Sequence, residues 1–270
     1  MNRASNTVSE EPARAELERS NSSNRNLSTH APLSVAEGYE RWAPIYDQDP
    51  NPLLACEERH LFPLLSDLLR TNLRNKCVLD LACGTGRWLE RLMAAGGASG
   101  VGLDRSEPML RVASAKSRIA GRLTRAACEN LPFRSDVFDL AICSFALGHI
   151  ADFGLMAREL ARVTRPSAVL FISDLHPDAY VRGWRVGFRD QNDAVQIETV
   201  PHSAKDTIRT FTSNGFECVT QVPLLLGETE KHFFDRAGKS DRFAEASQLP
   251  ALLIFQFRRI ESPITVGGAQ

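Results

Sequence analysis

The stretch VLDLACGTGR, residues 78–87, constrains the fold of this chain more than any other part of the sequence. An apolar run typical of a buried strand passes through Asp80 into a loop with glycines at 84 and 86. Glycines let a backbone approach a ligand closely, and ligands of α/β proteins bind where parallel strands end. The stretch therefore predicts a strand that leads into a binding loop at the carboxyl edge of a parallel sheet.

Strand-like and helix-like segments alternate along the rest of the chain. The segments with strand character are CVLDLA, SGVGLD, RLTRAAC, FDLAICSFA, AVLFISDL, ECVTQVPLL and ALLIFQFRRI. Amphipathic segments separate several of them, including one that begins after Ser106, a residue type that caps helix N-termini. Such alternation is typical of βαβ units. We predict an α/β fold with a three-layer, Rossmann-like sheet that is mostly parallel and has an antiparallel edge strand.

Composition suggests the domain boundaries. Residues 1–33 are polar and rich in Ser, Asn, Arg and Glu, which predicts a disordered N-terminal tail. We expect one domain over 34–262, with a helical N-terminal segment over 34–74. An insertion over 177–202 is expected to cover the substrate, because long loops at this edge of a sheet are often functional. Residues 263–270 are expected to form a flexible C-terminus.

The overall composition argues against several classes of protein. A formal net charge of −1 gives no support for a nucleic-acid partner. No apolar run is long enough for a membrane span, and the N-terminal residues lack the apolar core of a secretory signal. The six cysteines are scattered without the spacing of metal ligands. This pattern favours a reducing, cytoplasmic location and no metal site.

Spacing decides which ligand suits the glycine loop. No Lys-Ser or Lys-Thr pair follows the glycines, as a P-loop requires, and Leu89 stands where a dinucleotide fingerprint needs glycine or alanine. Asp104 ends the next predicted strand, where an acid can accept hydrogen bonds from ribose hydroxyls. Asp80 suits a cationic amino group. A ribose and an ammonium without a phosphate describe S-adenosylmethionine.

VLDLACGTGR, GVGLDRSEPML and ENLPFRSDVFDLAICSFALGHI, taken together, resemble the class I S-adenosylmethionine-dependent methyltransferases. The similarity is greatest to the small-molecule branch that includes ubiquinone and menaquinone biosynthesis methyltransferases, and it extends from about residue 36 to 175. The resemblance implies S-adenosyl-L-methionine as the cofactor. It also implies that YERWAPIYD is a lid over the cofactor.

The resemblance assigns roles to individual residues. Asp80, Cys83, Gly84 and Gly86 line the methionine half, Asp104 holds the ribose, and Arg105 and Met109 lie near the adenine. Further cofactor contacts are expected from Tyr46, from Cys128 and Glu129 at the adenine edge, and from Cys143 and Ser144 at the reactive end. The chain departs from the family at Ala127, where relatives often carry an acid that contacts the adenine amino group.

The acceptor side is less defined by the sequence. His149 and His176 follow predicted strands and are candidate general bases, although a packed or capping histidine is an equal alternative. Tyr39, Trp42, Asp174 and Trp184 are the candidate substrate residues. We expect methyl transfer to a small molecule by in-line displacement, with the acceptor atom and the oligomeric state left open. The alternatives are a carrier-protein-bound or macromolecular acceptor, or a non-enzymatic cofactor-binding relative.

Overall fold

The computed structural model describes residues 31–71, 76–96, 98–150, 152–190 and 193–260. Most of the predicted tail (1–30) and the predicted flexible C-terminus (263–270) lie outside these ranges. The described part begins close to a tertiary contact, because Leu33 forms a parallel bridge with Ile197. The chain is therefore already tied to the rest of the structure at position 33.

Nine strands and nine helices are described. The strands are β1 (Lys76–Leu81), β2 (Ala98–Asp104), β3 (Leu123–Arg125), β4 (Phe138–Ser144), β5 (Thr164–Leu175), β6 (Gly187–Asp190), β7 (Asp193–Gln196), β8 (Phe216–Leu225) and β9 (Pro250–Arg259). The helices are α1 (Val35–Trp42), α2 (Pro52–Thr71), α3 (Arg87–Ala95), α4 (Glu107–Ser114), α5 (Phe153–Val163), α6 (Pro177–Val181), α7 (Ala204–Ser213), α8 (Glu228–Arg236) and α9 (Ser240–Ala246). Two 3-10 turns, Tyr46–Gln48 and Leu147–His149, complete the set.

The central sheet has seven strands in the order β3-β2-β1-β4-β5-β9-β8. Strands β1 to β5 are parallel, and β9 runs antiparallel to both β5 and the edge strand β8. Pro223 lies in β8, in keeping with the tendency of proline to occupy edge strands. The predicted fold class is confirmed. The strand order reverses between β1 and β4, which opens a crevice at the carboxyl edge.

Apolar side chains fill both faces of the sheet. Leu79 and Leu81 of β1 pack in one core cluster, whereas Val78 of the same strand packs in another with Leu140 and Ile142 of β4. Burial on both faces explains why these strands appear in the sequence as nearly continuous apolar runs.

Two features of the fold differ from the sequence-based expectation. Strand β5 begins at Thr164 and runs through Pro166, whereas the predicted strand began at 168. Helices α8 and α9 lie between β8 and β9, where no crossover element was expected. The segment GETEKHFFDRAGKSDRFAEA is strongly polar, so its apolar face is narrow and easily missed. No helix among the described residues is long and apolar enough to cross a bilayer.

Candidate functional site

A cavity of about 430 Å³ lies at the carboxyl edge of the parallel strands. Its floor is the glycine loop after β1 and the ends of β2 and β4, and its cover is formed by α1 and the turn Tyr46–Gln48. This is the position at which open α/β sheets bind their ligands. The volume is in the lower half of the range of small-molecule sites, roughly 300–1,000 Å³.

The glycine loop needs both glycines, for different reasons. Gly84 has φ 54° and borders the cavity, so a side chain here would sit in a strained backbone conformation beside the ligand space. Gly86 has φ 78°, and a Cβ there would lie 2.4 Å from Cδ1 of Ile119. Gly86 therefore serves the packing of the loop and does not border the cavity.

Asp80 connects the sheet to the helix that follows the loop. Its Oδ2 accepts a hydrogen bond from the Leu89 backbone N–H at 2.8 Å. The residue is 2% exposed, and burial raises the pKa of its carboxyl to about 7. A cation in the cavity would offset this desolvation and favour the carboxylate form.

Asp104 fixes the loop from the neighbouring strand. One carboxylate oxygen accepts from the Gly84 N–H at 2.8 Å and the other from the Ser106 N–H at 2.7 Å. Ser106 in turn caps α4 by accepting from the Met109 N–H, as the sequence predicted. Burial raises the pKa of the Asp104 carboxyl. Each oxygen keeps a lone pair for a further donor such as a ribose hydroxyl.

His149 and Tyr39 meet at the opposite wall of the cavity. The Tyr39 hydroxyl lies 3.1 Å from Nε2 of His149, and Nδ1 of His149 lies 3.0 Å from the backbone oxygen of Glu198. A carbonyl oxygen only accepts, so Nδ1 carries the proton and Nε2 is the acceptor for the Tyr39 hydroxyl. Burial lowers the pKa of His149, which favours this neutral form.

A buried glutamate, which the sequence analysis missed, holds the wall below the cavity. Glu57 of α2 is 0% exposed and accepts hydrogen bonds from Arg87, Ser144, Ser173 and Trp88. A signal was present in the sequence: Glu57 is four and eight residues before Leu61 and Leu65, and therefore interrupts the apolar face of α2. An acid on such a face is either paired or functional.

The cavity brings together ten of the residues singled out from the sequence. These are Tyr39, Tyr46, Asp80, Cys83, Gly84, Asp104, Arg105, Met109, Cys128 and His149. Burial raises the pKa of the Cys83 and Cys128 thiols, so neither is a ready nucleophile. Ser144, which was expected with Cys143 at the reactive end of the cofactor, also borders the cavity, and so do Arg87 and Trp88, to which the sequence analysis assigned no role.

The remaining sequence candidates lie away from the cavity wall. These are Trp42, Gly86, Glu129, Cys143, Asp174, His176 and Trp184. Cys143 is fully buried within β4, and Trp184 packs against the second core cluster. His176 caps the short helix α6 by accepting from the Asp178 N–H at 3.2 Å. The expectation that His176 faces a substrate has no support in this arrangement.

Trp42 and Asp174 support residues that do border the cavity. The Trp42 ring stacks on Phe188 of β6 at a centroid distance of 5.1 Å and lies 4.8 Å from the ring of Tyr46. Asp174 accepts from the Gly148 N–H at 3.1 Å and so holds the turn that carries His149. Burial raises the pKa of Asp174 to about 6.

The charged groups around the cavity fit S-adenosylmethionine, the ligand expected from the sequence. Asp104 offers acceptors for a ribose, and the buried Asp80 offers a negative charge for an ammonium group. Arg87 offers a positive charge for a carboxylate. Its Nη2 atom already pairs with the buried Glu57, and its Nη1 atom is buried without a hydrogen-bond partner among the described residues, 3.9 Å from a carboxylate oxygen of Glu58.

Comparison with known proteins points to the same ligand. Residues 79–172 match a family model described as a methyltransferase domain. The chain is 32% identical over 196 residues to a phthiotriol/phenolphthiotriol dimycocerosates methyltransferase of Mycobacterium leprae, covering 70% of this chain and 71% of that protein. It is also 32% identical over 157 residues to a 2-phytyl-1,4-naphthoquinone methyltransferase of Synechococcus elongatus, covering 56% and 67%.

The fold has solved counterparts. An S-adenosylmethionine-dependent methyltransferase from Mesorhizobium loti superposes with a TM-score of 0.56 at 21% identity, over 73% of this chain and 97% of that one. At this identity the likeness concerns the fold alone.

Proposed function

The chain belongs to the class I S-adenosylmethionine-dependent methyltransferases, and from this premise we propose that it methylates a small, largely apolar molecule whose hydroxyl gives up a proton, such as a phenol or a quinol. The bound cofactor supplies a methyl group on a positively charged sulfur, which passes to a nucleophile in line with the sulfur–carbon bond. The protein has to hold that nucleophile and remove its proton.

The observation that carries this proposal is the state of His149. Its Nδ1 proton is committed to the Glu198 carbonyl, so the lone pair of Nε2 faces the Tyr39 hydroxyl at the cavity wall. If an acceptor hydroxyl displaces the Tyr39 hydroxyl, it can donate its proton to Nε2, which is neutral and already oriented toward the cavity. A neutral amine or a thiolate acceptor would have no need for such a group.

The rest of the wall supports an apolar acceptor. The side chains that border the cavity near His149 are mostly apolar: Val35, Ala36, Phe145, Ala146 and Ile150. Two tyrosine rings, Tyr39 and Tyr46, complete this side. One relative is named for phthiotriol and phenolphthiotriol dimycocerosates, names that denote hydroxyl groups, and another for a naphthoquinone, which carries a hydroxyl only in its reduced, quinol form. This agreement supports a phenol- or quinol-type acceptor here.

We further propose which part of the cofactor each cavity residue contacts. Asp104 binds the ribose hydroxyls, with Arg105, Met109 and Cys128 around the adenine. Asp80, Cys83 and Gly84 surround the methionine half, Arg87 pairs with its carboxylate, and Tyr46 covers it. Of the sequence-based substrate candidates only Tyr39 contacts the acceptor directly.

The test is transfer of a labelled methyl group to a panel of phenols, naphthoquinols, amines and thiols. We expect label on the hydroxyl-bearing compounds. His149→Ala should lower kcat on these acceptors by about 10²–10⁴, the usual contribution of a general base. His176→Ala is the matched control, because that histidine caps α6 away from the cavity, and its rate should equal that of the wild type.

Three results would contradict the proposal. Transfer at an undiminished rate by a folded His149→Ala variant would show that no base acts from this position. Label found only in protein or RNA would favour a carrier-bound or macromolecular acceptor instead. Tight cofactor binding without transfer to any acceptor would favour a binding protein.

A further inference from the structure

We propose that Asp47 is a positioning residue that latches the turn Tyr46–Gln48 onto the glycine loop, and that release of this latch sets how fast the cofactor and its product enter and leave. The inference rests on the proposed function only in taking the cavity as the cofactor site. It assigns a role to a residue that touches neither the acceptor nor the reacting atoms.

Asp47 makes two contacts across the cavity edge. Its Oδ1 accepts a hydrogen bond from the Thr85 hydroxyl at 2.6 Å. Its Oδ2 lies 2.7 Å from Nζ of Lys116, which follows α4. Thr85 is 1% exposed and lies between the two left-handed glycines of the loop. The latch therefore joins the N-terminal segment directly to the loop that forms the cavity floor.

The turn has few other attachments. Ile45 is exposed, and the turn's N-terminus has no side-chain cap. Asp49 accepts from the Trp42 indole at 3.2 Å, but Trp42 belongs to the same N-terminal segment. Among the described residues, the hydrogen bond from Thr85 to Asp47 is the only one that joins this turn to the glycine loop. The position of the turn over the cavity thus depends strongly on Asp47.

The latch lies beside a group that closes the cavity. Tyr46 precedes Asp47 in the chain, borders the cavity, and packs its ring 4.8 Å from that of Trp42. A ligand that passes between this turn and the glycine loop has to separate Asp47 from Thr85. Since the same movement is needed for entry and for exit, the latch slows both steps.

This two-way effect distinguishes a latch from an ordinary structural or ligand contact. Loss of a ligand contact speeds dissociation and leaves association unchanged, and loss of a well-formed site slows association. Loss of a latch speeds both rates. The Thr85 hydroxyl is buried and its acceptor, Asp47, is a carboxylate. We therefore expect loss of this hydrogen bond to raise the association and dissociation rate constants by about ten-fold or more.

The experiment is stopped-flow binding of S-adenosylhomocysteine to the full chain without any acceptor, followed by tryptophan fluorescence. Trp42 beside Tyr46 and Trp88 at the cavity wall are the reporters. We expect Asp47→Ala to raise the dissociation rate constant by about ten-fold or more and to raise the association rate constant as well. Affinity should change less than either rate constant.

Five further variants test the same contact. Thr85→Val, which removes only the hydroxyl donor, should reproduce most of the effect, and Asp47→Ala should add little in that background. Lys116→Met should produce a smaller rise, and Asp47→Asn an intermediate one. Gln48→Ala is the matched control, since this exposed residue of the same turn should leave both rate constants as in the wild type.

The two rate constants decide whether Asp47 acts as a latch. Unchanged rates in Asp47→Ala would overturn the latch, and so would faster dissociation combined with slower association. If Asp47→Ala does not fold, Asp47→Asn and Thr85→Val decide the matter by the same two rate constants. Because no acceptor is present, failure here leaves the proposal about His149 untouched, and failure of methyl transfer leaves the latch untouched.

Discussion

Asp104 is the residue whose function depends most directly on its position at a strand end. Its two oxygens already accept from the Gly84 and Ser106 N–H groups, so a ribose would share an oriented, buried carboxylate. We predict that Asp104→Ala weakens binding of S-adenosylhomocysteine by roughly 1–3 kcal/mol, measured by calorimetry. The control is an analogue without ribose hydroxyls, which should lose far less. Equal losses for both ligands would mean that Asp104 only shapes the loop.

Asp80 makes a prediction about stability. Burial raises its folded-state pKa to about 7 from 3.8, so the folded chain holds a proton that the unfolded chain has lost. The contribution of Asp80 to the free energy of unfolding therefore falls as pH rises from about 4 to 7. Asp80→Asn keeps an acceptor for the Leu89 N–H and should remove roughly 1–3 kcal/mol of this decline. Chemical denaturation at several pH values measures it.

A matched control exists for the Asp80 experiment. Asp67 on α2 has a side chain that is 65% exposed, and Asp67→Asn makes the same chemical change at a position where no carboxyl is buried. The prediction for Asp80 is wrong if both variants follow the wild-type curve.

His149 predicts the pH dependence of catalysis. A general base must be neutral, and burial lowers the pKa of this imidazole below its usual 6.5. Since the histidine stays neutral above its pKa, activity should persist below pH 6.5 before it falls. The acidic limb of kcat/KM against pH measures this, and the residual activity of His149→Ala should lack that limb. An acidic midpoint above 6.5 would contradict the neutral state derived from the Glu198 contact.

The sequence located the residues at strand ends but missed those that act through burial. Asp80, Asp104 and Gly84 stand at positions fixed by the strand–loop pattern, so spacing alone found them. The partners of Glu57 come from α3, β4 and β5, and that convergence has no local sequence pattern. A buried ion pair becomes visible only when the elements are packed together.

At the scale of elements, the insertion over 177–202 contacts the N-terminal segment and holds it in place. The backbone of Leu33 pairs with Gln196 and Glu198, and Gly38 of α1 leaves room for Ile197, since a Cβ there would lie 2.6 Å from Cγ1 of Ile197. The sequence analysis expected the insertion to cover the substrate. The structure describes it as a support for α1 and for His149, through Glu198.

This support can be tested at Phe188. We predict that Phe188→Ala, which removes the ring stacked on Trp42, loosens α1 and weakens S-adenosylhomocysteine binding while the central sheet remains folded. Hydrogen exchange should increase over Val35–Trp42 and stay unchanged in β1 and β4. Val181→Ala, at an 83% exposed position of the same insertion, is the control and should change neither quantity. Global unfolding of Phe188→Ala would mean that the insertion is part of the main core.

Elements with a continuous apolar pattern were predicted well, and those stabilised by neighbours were not. The central parallel strands β1 and β4 are buried on both faces and appear in the sequence as apolar runs. Helix α8 depends on the pair between Arg59 and the fully buried Glu230, across 171 residues of chain. No window of sequence contains both partners, so periodicity gave no sign of this helix.

At the scale of the whole molecule, the cavity is assembled from distant parts of the chain. The first quarter supplies Tyr39, Tyr46 and Asp47, the central strands supply the floor, and the insertion fixes α1 and His149 in place. The cavity of about 430 Å³ is small for a cofactor and an acceptor together. We infer that the N-terminal segment moves when both are bound.

Two shortened chains test how much of the N-terminus the site requires. A chain that begins at Pro32 keeps Leu33 and its pairing with Ile197, and we predict that its affinity for S-adenosylhomocysteine and its melting temperature match those of the full chain. A chain that begins at Asn51 lacks α1, Tyr46 and the Asp47 latch. It should bind at least about ten-fold more weakly, since the ligand loses its contacts with the cover residues Tyr39 and Tyr46. Calorimetry and thermal unfolding provide both measurements. Loss of binding in the Pro32 chain would show that residues 1–31 belong to the site, and full affinity in the Asn51 chain would show that the cofactor is held by the sheet edge alone.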